Sequence, residues 1–167
     1  MKEAPRDRPS ARGLRIAIVR SLFNRPVTDG LLEGALGALA EMGAAPRSVA
    51  VFDLPGAFEL PLAARAAARS GRHDAVVALG AVIEGETDHY EHVAREAASG
   101  LAAVARETGV PVAFGVLTVR EEEQARRRAA PGPDNKGAEA ARAAVMTALA
   151  LRAIAGRPRG AGAGRRR

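Results

Sequence analysis

The sequence predicts an α/β protein, a three-layer α/β/α sandwich built on a four-stranded parallel sheet. Two observations predict it. Four short runs rich in Val, Ile, Leu and Ala recur along the chain, and a helix-length segment fills each gap between them. Parallel neighbours need crossovers of that length, and a sheet covered by helices on both faces buries its strands almost completely.

The elements follow in order. LRIAIV (14–19) is a β-branched apolar run of the buried-strand kind. Leu31, Leu32, Ala35, Leu36, Leu39 and Met42 then recur at helical spacing and stop at Gly43, a suitable C-terminal cap. RSVAVFD (47–53) alternates as a strand does, and AFELPLAARAAARSG (57–71) is an Ala-rich helix ended by Gly. Pro61 fits that helix only within its first turn. DAVVALGAVI (74–83) is the third strand, residues 87–108 a long helix stopped by Gly109 and Pro111, and PVAFGVLTV (111–119) the fourth strand. REEEQARRRAA (120–130) forms a short charged helix, PGPDN a loop, and Lys136 to Ile154 a long Ala-rich helix. Right-handed crossovers leave few topologies for this order, and a flavodoxin-like one fits best.

Composition narrows the function. A chain of 167 residues holds one ordinary core. Hydrophobic residues make up 47% of it and aromatic ones 3%, so Ala, Val and Leu must fill that core, and each of the four Phe and the one Tyr merits separate inspection. The absence of Cys excludes disulfides and thiolate metal sites. The N-terminal residues have no apolar signal region, and no segment sustains the roughly 18 apolar residues of a membrane span. The expectation is a soluble, cytoplasmic protein. Of the net charge of +6, all comes from six Arg between Arg152 and Arg167, where there is no acid; the other 19 basic residues balance 19 acidic ones. The expected organisation is a flexible segment 1–13, a folded domain 14–155 and a disordered Arg/Gly-rich tail 156–167. Such a tail binds polyanions weakly, but the body has no basic stripe interleaved with aromatic platforms, so no specific nucleic-acid partner is expected.

In open α/β sheets ligands sit beyond the carboxyl ends of the strands, which singles out four places. After the first strand, Phe23 is either a core residue or a stacking platform for a flat heterocycle. After the second, Gly56 permits a close backbone approach. Glu59 there is either a helix-dipole partner worth ~0.3–1 kcal/mol or an acceptor for ligand hydroxyls. After the third, Gly85, Glu86 and Thr87 lead into a helix start whose free N–H groups favour an anion such as phosphate. His89 follows in the first helical turn beside Asp88 and Glu91. Neighbouring carboxylates favour its protonated form and the helix terminus opposes it, a balance suited to proton transfer; the alternative is a solvated surface histidine. His89 and His92 lie three apart, but no third metal ligand accompanies them and the order is not H-E-x-x-H, so no metal is expected. After the fourth strand, Arg126, Arg127, Arg128 and Lys136 form either a solvated face paired with Glu121 to Glu123 or a phosphate clamp around the Gly/Pro loop.

Four stretches, PGAFELP, LGAVIEGETDHYEHVA, GVPVAFGVLT and DNKGAEAA, in this order and spacing resemble the 6,7-dimethyl-8-ribityllumazine synthase family. The resemblance spans Leu14 to about Ala155. It implies condensation of 5-amino-6-(D-ribitylamino)uracil with 3,4-dihydroxy-2-butanone 4-phosphate, the penultimate step of riboflavin biosynthesis, without cofactor or metal. By similarity Phe23 stacks on the pyrimidine, Ala57, Phe58 and Glu59 hold the ribityl chain, and Ala81, Val82 and Ile83 line the heterocycle. Gly85, Glu86 and Thr87 bind the phosphate end, and His89 transfers protons. Phe114, Arg128 and Lys136 match positions that a neighbouring subunit contributes, Arg128 binding phosphate. The resemblance further implies a homopentamer, in many members assembled twelvefold into a shell of sixty, with riboflavin synthase as a candidate partner. The loop AAPGPDNKG carries no insertion, which permits the shell. Departures from the family pattern are Val119, Arg120 and Glu121 where Thr-Glu-Asn is usual, the Pro131 and Pro133 loop, and His92 in place of an aromatic. Two rival readings remain from the sequence: a flavin- or lumazine-binding protein without turnover, and a structural shell whose tail binds anionic cargo.

Overall fold

The computed structural model describes residues 9–156. It contains strands β1 (Ile16–Ser21), β2 (Val49–Leu54), β3 (Ala75–Ile83) and β4 (Val112–Val119). The helices are α1 (Arg25–Glu41), α2 (Leu60–Arg69), α3 (His89–Thr108), α4 (Glu122–Ala129) and α5 (Lys136–Ala155). The strands form one all-parallel sheet in the order β2-β1-β3-β4. The chain therefore runs outward from β1 to β2, then crosses back to the other side of β1, and the crevice opens where that reversal occurs. This is the flavodoxin-like architecture that the alternation of elements predicts.

Side chains of successive strand residues point to opposite faces, and the two faces make separate cores. Ile16, Ile18, Val77, Leu79, Leu117 and Val119 pack against α1, α4 and α5. Ala17, Val19, Val76, Ala78, Val82 and Val116 pack against α2 and α3. Eight consecutive residues of the central β3 are buried, as a strand covered on both sides requires. No phenylalanine contributes to either core, because all four are exposed. Small side chains let the layers approach closely instead: Gly137 of α5 lies directly on the main-chain carbonyl of Leu31 in α1, leaving no room for a Cβ.

Several boundaries differ from the sequence expectation: Arg47 and Ser48 lie in a 3₁₀ turn before β2, and α3 starts at His89 rather than residue 87. Helix α1 starts at Arg25 rather than near Leu31, with Pro26 in the first turn, where its fixed φ is favourable and its missing N–H costs nothing. Val27 and Thr28 are buried, so this extra turn packs on the body without an apolar run to announce it. The segment expected as one helix over 57–71 is a 3₁₀ turn, Ala57–Glu59, followed by α2, and Pro61 does fall in the first turn of α2. Strand β1 runs on through Arg20 and Ser21, both buried despite their polarity. The Arg20 guanidinium makes this possible, donating to both carboxylate oxygens of Asp53 at 2.8 and 2.9 Å and to Asp29 at 2.6 Å. Those hydrogen bonds hold the Asp53 carboxyl below the usual carboxylate range.

The expected loose segments 1–13 and 156–167 fall mostly on residues 1–8 and 157–167, outside the described residues. Within the described part, Ala11 is fully buried and its N–H donates to the Met42 carbonyl at 2.8 Å, so packing begins before Leu14. Among the described residues, no helix is long and apolar enough to cross a membrane.

Candidate active site

The carboxyl ends of β1, β2 and β3 meet in a cavity of about 650 Å³. Each wall comes from a turn that the local sequence dictates. At the end of β1 the buried Ser21 hydroxyl accepts from the Phe23 N–H at 3.2 Å and bends the chain sharply. Asn24 then takes a left-handed conformation, φ 58°, which Asn tolerates better than most residues. Its carboxamide does not cap α1 but donates to the Ala81 carbonyl on β3 at 2.8 Å. The result throws Phe23 outward, 68% exposed, over the mouth of the cavity. Phe23 is thus not a core residue.

At the end of β2 the 3₁₀ turn presents Ala57, Phe58 and Glu59. A Cβ on Gly56 would lie 3.0 Å from the Glu59 carboxylate, the movable end of a flexible side chain. Buried Ala57 anchors this wall, while Phe58 is exposed and Glu59 half-buried. Ala81, Val82 and Ile83 form the floor, where β3 finishes.

Beyond β3, Gly85 and Thr87 line the cavity, followed by His89, the first residue of α3. Glu86 lies between them, exposed, and is not part of the cavity wall. The first N–H groups of this turn to find an acceptor are those of Glu91 and His92, both on the Asp88 carbonyl. The donors before them are the unsatisfied set that every helix start offers to an anion. His89 is exposed on the cavity side, beside Tyr90, His92 and Val93. Among the described residues no three His, Asp or Glu side chains are grouped so as to hold a metal ion.

Phe114, Arg128 and Lys136 are not in this cavity. They gather round a second concavity of about 330 Å³, built from β4 and the facing sides of α4 and α5. Phe114 is 47% exposed on the edge strand. The Arg128 guanidinium donates to the Gln124 carbonyl one turn back at 3.0 Å, and Lys136 pairs with Glu139 at 2.5 Å. Of the expected pairings along α4, Arg126 with Glu122 forms, at 2.7 Å. The two concavities share no lining residue.

The profile of the 6,7-dimethyl-8-ribityllumazine synthase family matches residues 13–152. The chain belongs to that family. A relative named 6,7-dimethyl-8-ribityllumazine synthase, from Edwardsiella ictaluri (strain 93-146), is 55% identical over 141 residues, which are 84% of this chain and 90% of the relative. As a family member the enzyme is a transferase of riboflavin biosynthesis, condensing the ribitylaminouracil with the butanone phosphate to dimethylribityllumazine.

Sequence reasoning passed over three residues that the cavity contains: Asn24, Tyr90 and Val93. For Val93 a signal existed, since it lies one turn beyond His89 on the same face of α3, whereas Tyr90 is only the chain neighbour of His89. Asn24 gave none, because its partner on Ala81 is 57 residues away.

Proposed function

We propose that the condensation takes place in a site completed by a neighbouring copy of the chain. The observation that carries this is the division of the ligand groups into two concavities with no residue in common. The cavity over β1–β3 supplies the Phe23 platform for the pyrimidine, the Ala57–Glu59 turn for the ribityl chain and Ala81–Ile83 beneath the heterocycle. Gly85, Glu86 and Thr87 offer main-chain donors to the phosphate. The β4 edge of the neighbour adds Phe114, Arg128 and Lys136, with the Arg128 guanidinium closing on the phosphate.

The chemistry asks little beyond this arrangement. The amine of the uracil attacks the ketone and loses water to form an imine. Phosphate then leaves with the electron pair of its C–O bond, and the ribitylamino nitrogen closes the ring with loss of a second water. Each step moves a proton at a heteroatom or at the carbon next to a carbonyl. His89 stands where it can carry those protons between the phosphate-bearing carbon chain and the ring. Holding both substrates together supplies much of the remaining acceleration.

A head-to-tail contact of this kind closes into a ring when the rotation per subunit divides the circle, and five copies are the minimum unit we propose. The α4–α5 loop, without insertion, suits further assembly of twelve rings into a shell of sixty. Riboflavin synthase, which consumes the product, is the proposed partner, and the cytoplasm the proposed compartment.

Complementation tests the shared site. His89→Ala and Arg128→Ala proteins, each impaired alone, are unfolded, mixed in equal amounts and reassembled, and product is followed by its absorbance. If neighbours share the site, about a quarter of the sites pair an intact cavity with an intact edge, and activity returns in that proportion. A mixture no better than the mean of its parts refutes sharing, and a fully active monomer refutes it as well.

A further inference from the structure

The turn between α4 and α5 holds one polar side chain that is almost fully enclosed. Asn135 is 2% exposed. Its Nδ2 donates toward three carbonyls, Ala129 at 2.9 Å, Ala130 at 3.1 Å and Gly30 at 3.1 Å. Its Oδ1 accepts from the Ala138 N–H at 3.0 Å and caps α5. A single carboxamide therefore ties together the end of α4, the start of α5 and the second turn of α1. Buried polar groups with every position satisfied fix one arrangement of their surroundings, because any other leaves a donor or acceptor unpaired.

Helix α1 is shaped to receive it. A Cβ on Gly34 would fall on the Asn135 carboxamide, and one on Gly30 would come within 2.5 Å of the Ala129 carbonyl. Gly is the poorest ordinary residue for a helix interior, so two of them on one face weaken α1 and return only this seat. The two groups on either side of the seat are Arg128, directly before Ala129, and Lys136, directly after Asn135.

We propose that Asn135 is a positioning residue for the phosphate-binding edge, setting the separation and aim of the Arg128 guanidinium and the Lys136 ammonium. This rests on the assignment of those two cations to a neighbour's phosphate site. A guanidinium recognises phosphate through its fork geometry, so a shift of about 1 Å in its helix carries a large penalty.

Two variants approach the seat from opposite sides. Asn135→Ser keeps a helix cap but cannot reach the three carbonyls. Gly34→Ala leaves Asn135 in place and removes the room for it, although Ala is otherwise the better helix residue. Each should raise the KM for the butanone phosphate, and the inhibition constant of inorganic phosphate, on the order of fivefold to twentyfold. The KM for the ribitylaminouracil should stay within about twofold, as should the assembled mass. In an Arg128→Ala background the same changes should add clearly less, because only the Lys136 ammonium is left for them to aim. Equal effects on both substrates, or full additivity with Arg128→Ala, overturn the proposal and leave Asn135 a purely structural residue. If Asn135→Ser fails to assemble, Gly34→Ala carries the test alone. If Arg128→Ala itself leaves the butanone phosphate KM unchanged, the site assignment falls, and this proposal with it; a strong Arg128 effect beside silent seat variants sinks this proposal only.

Discussion

The cavity over β1–β3 and the edge formed by β4, α4 and α5 are built in opposite ways. The cavity is made of strand ends and the turns that follow them, so its groups come in contiguous triplets, Ala57–Glu59 and Ala81–Ile83, with Gly85 and Thr87 just beyond. Local chain geometry positions them. The edge takes single residues from three elements, and what positions them is helix packing: Gly137 on Leu31, Gly30 and Gly34 around Asn135. A site of the first kind is robust to changes in distant packing. One of the second kind transmits any shift between helices directly to its charges.

His89→Ala is the largest perturbation of the cavity. Turnover should fall by about 10²–10⁴-fold, the usual worth of an acid–base group, while the KM values stay nearly unchanged. Steady-state rates across neutral pH check this, and a variant matching wild type there removes His89 from proton transfer. The largest perturbation of the edge is Gly137→Ala, whose new methyl meets the Leu31 carbonyl and must push α5 from α1. A loss of about 3 kcal/mol in unfolding free energy is expected by denaturant titration, at the upper end of overpacking costs.

Selectivity should then divide the two regions. Arg128→Ala removes a charged hydrogen bond of roughly 1.5–3 kcal/mol and should raise the butanone phosphate KM about 10–100-fold, with little change for the uracil. Phe23→Ala should do the reverse, weakening the uracil on the order of tenfold through lost stacking. Identical profiles for the two variants would erase the distinction drawn here.

The smallest effect concerns the far end of α5. Asp74, just before β3, accepts from the Arg15 N–H at 2.7 Å and pairs with the Arg15 and Arg152 side chains at 3.3 Å each. Burial alone would raise its carboxyl, but the Arg15 hydrogen bonds and both positive charges outweigh it, and the group is held low. A carboxyl lowered in the folded state stabilises fully above its unfolded value, about 3.9, and loses that contribution as pH falls through the folded value. Asp74→Asn should therefore cost about 1 kcal/mol at neutral pH. The gap from wild type should narrow below about pH 4, which thermal melts at several pH values read directly.

The sequence exposes the cavity more fully than the edge for the reason that separates them. Apolar runs mark strands β1 to β4, and the triplets lie where those runs stop. Phe23 could be placed on a loop but not turned outward, because the left-handed Asn24 and its bond to Ala81 are tertiary facts. Arg20 and Ser21 lie beyond the apolar run 14–19, and the Asp53 and Asp29 carboxylates explain the burial of Arg20. Arg128 and Lys136 were visible as charges, while Asn135 read as one more loop residue. Its importance lies in what Gly30 and Gly34, a hundred residues earlier, leave open.

The exposure of all four phenylalanines and the absence of tryptophan have an optical consequence. With no Trp and a single Tyr, the protein is nearly dark in the near ultraviolet, and its one phenol, Tyr90, lines the cavity. Emission excited at the tyrosine band comes from a single known place. A heterocycle that absorbs in that region and docks beside it should quench that emission, so occupancy can be titrated on the unmodified chain. The converse also holds: light from a lumazine product stands out against a scaffold that contributes almost none of its own.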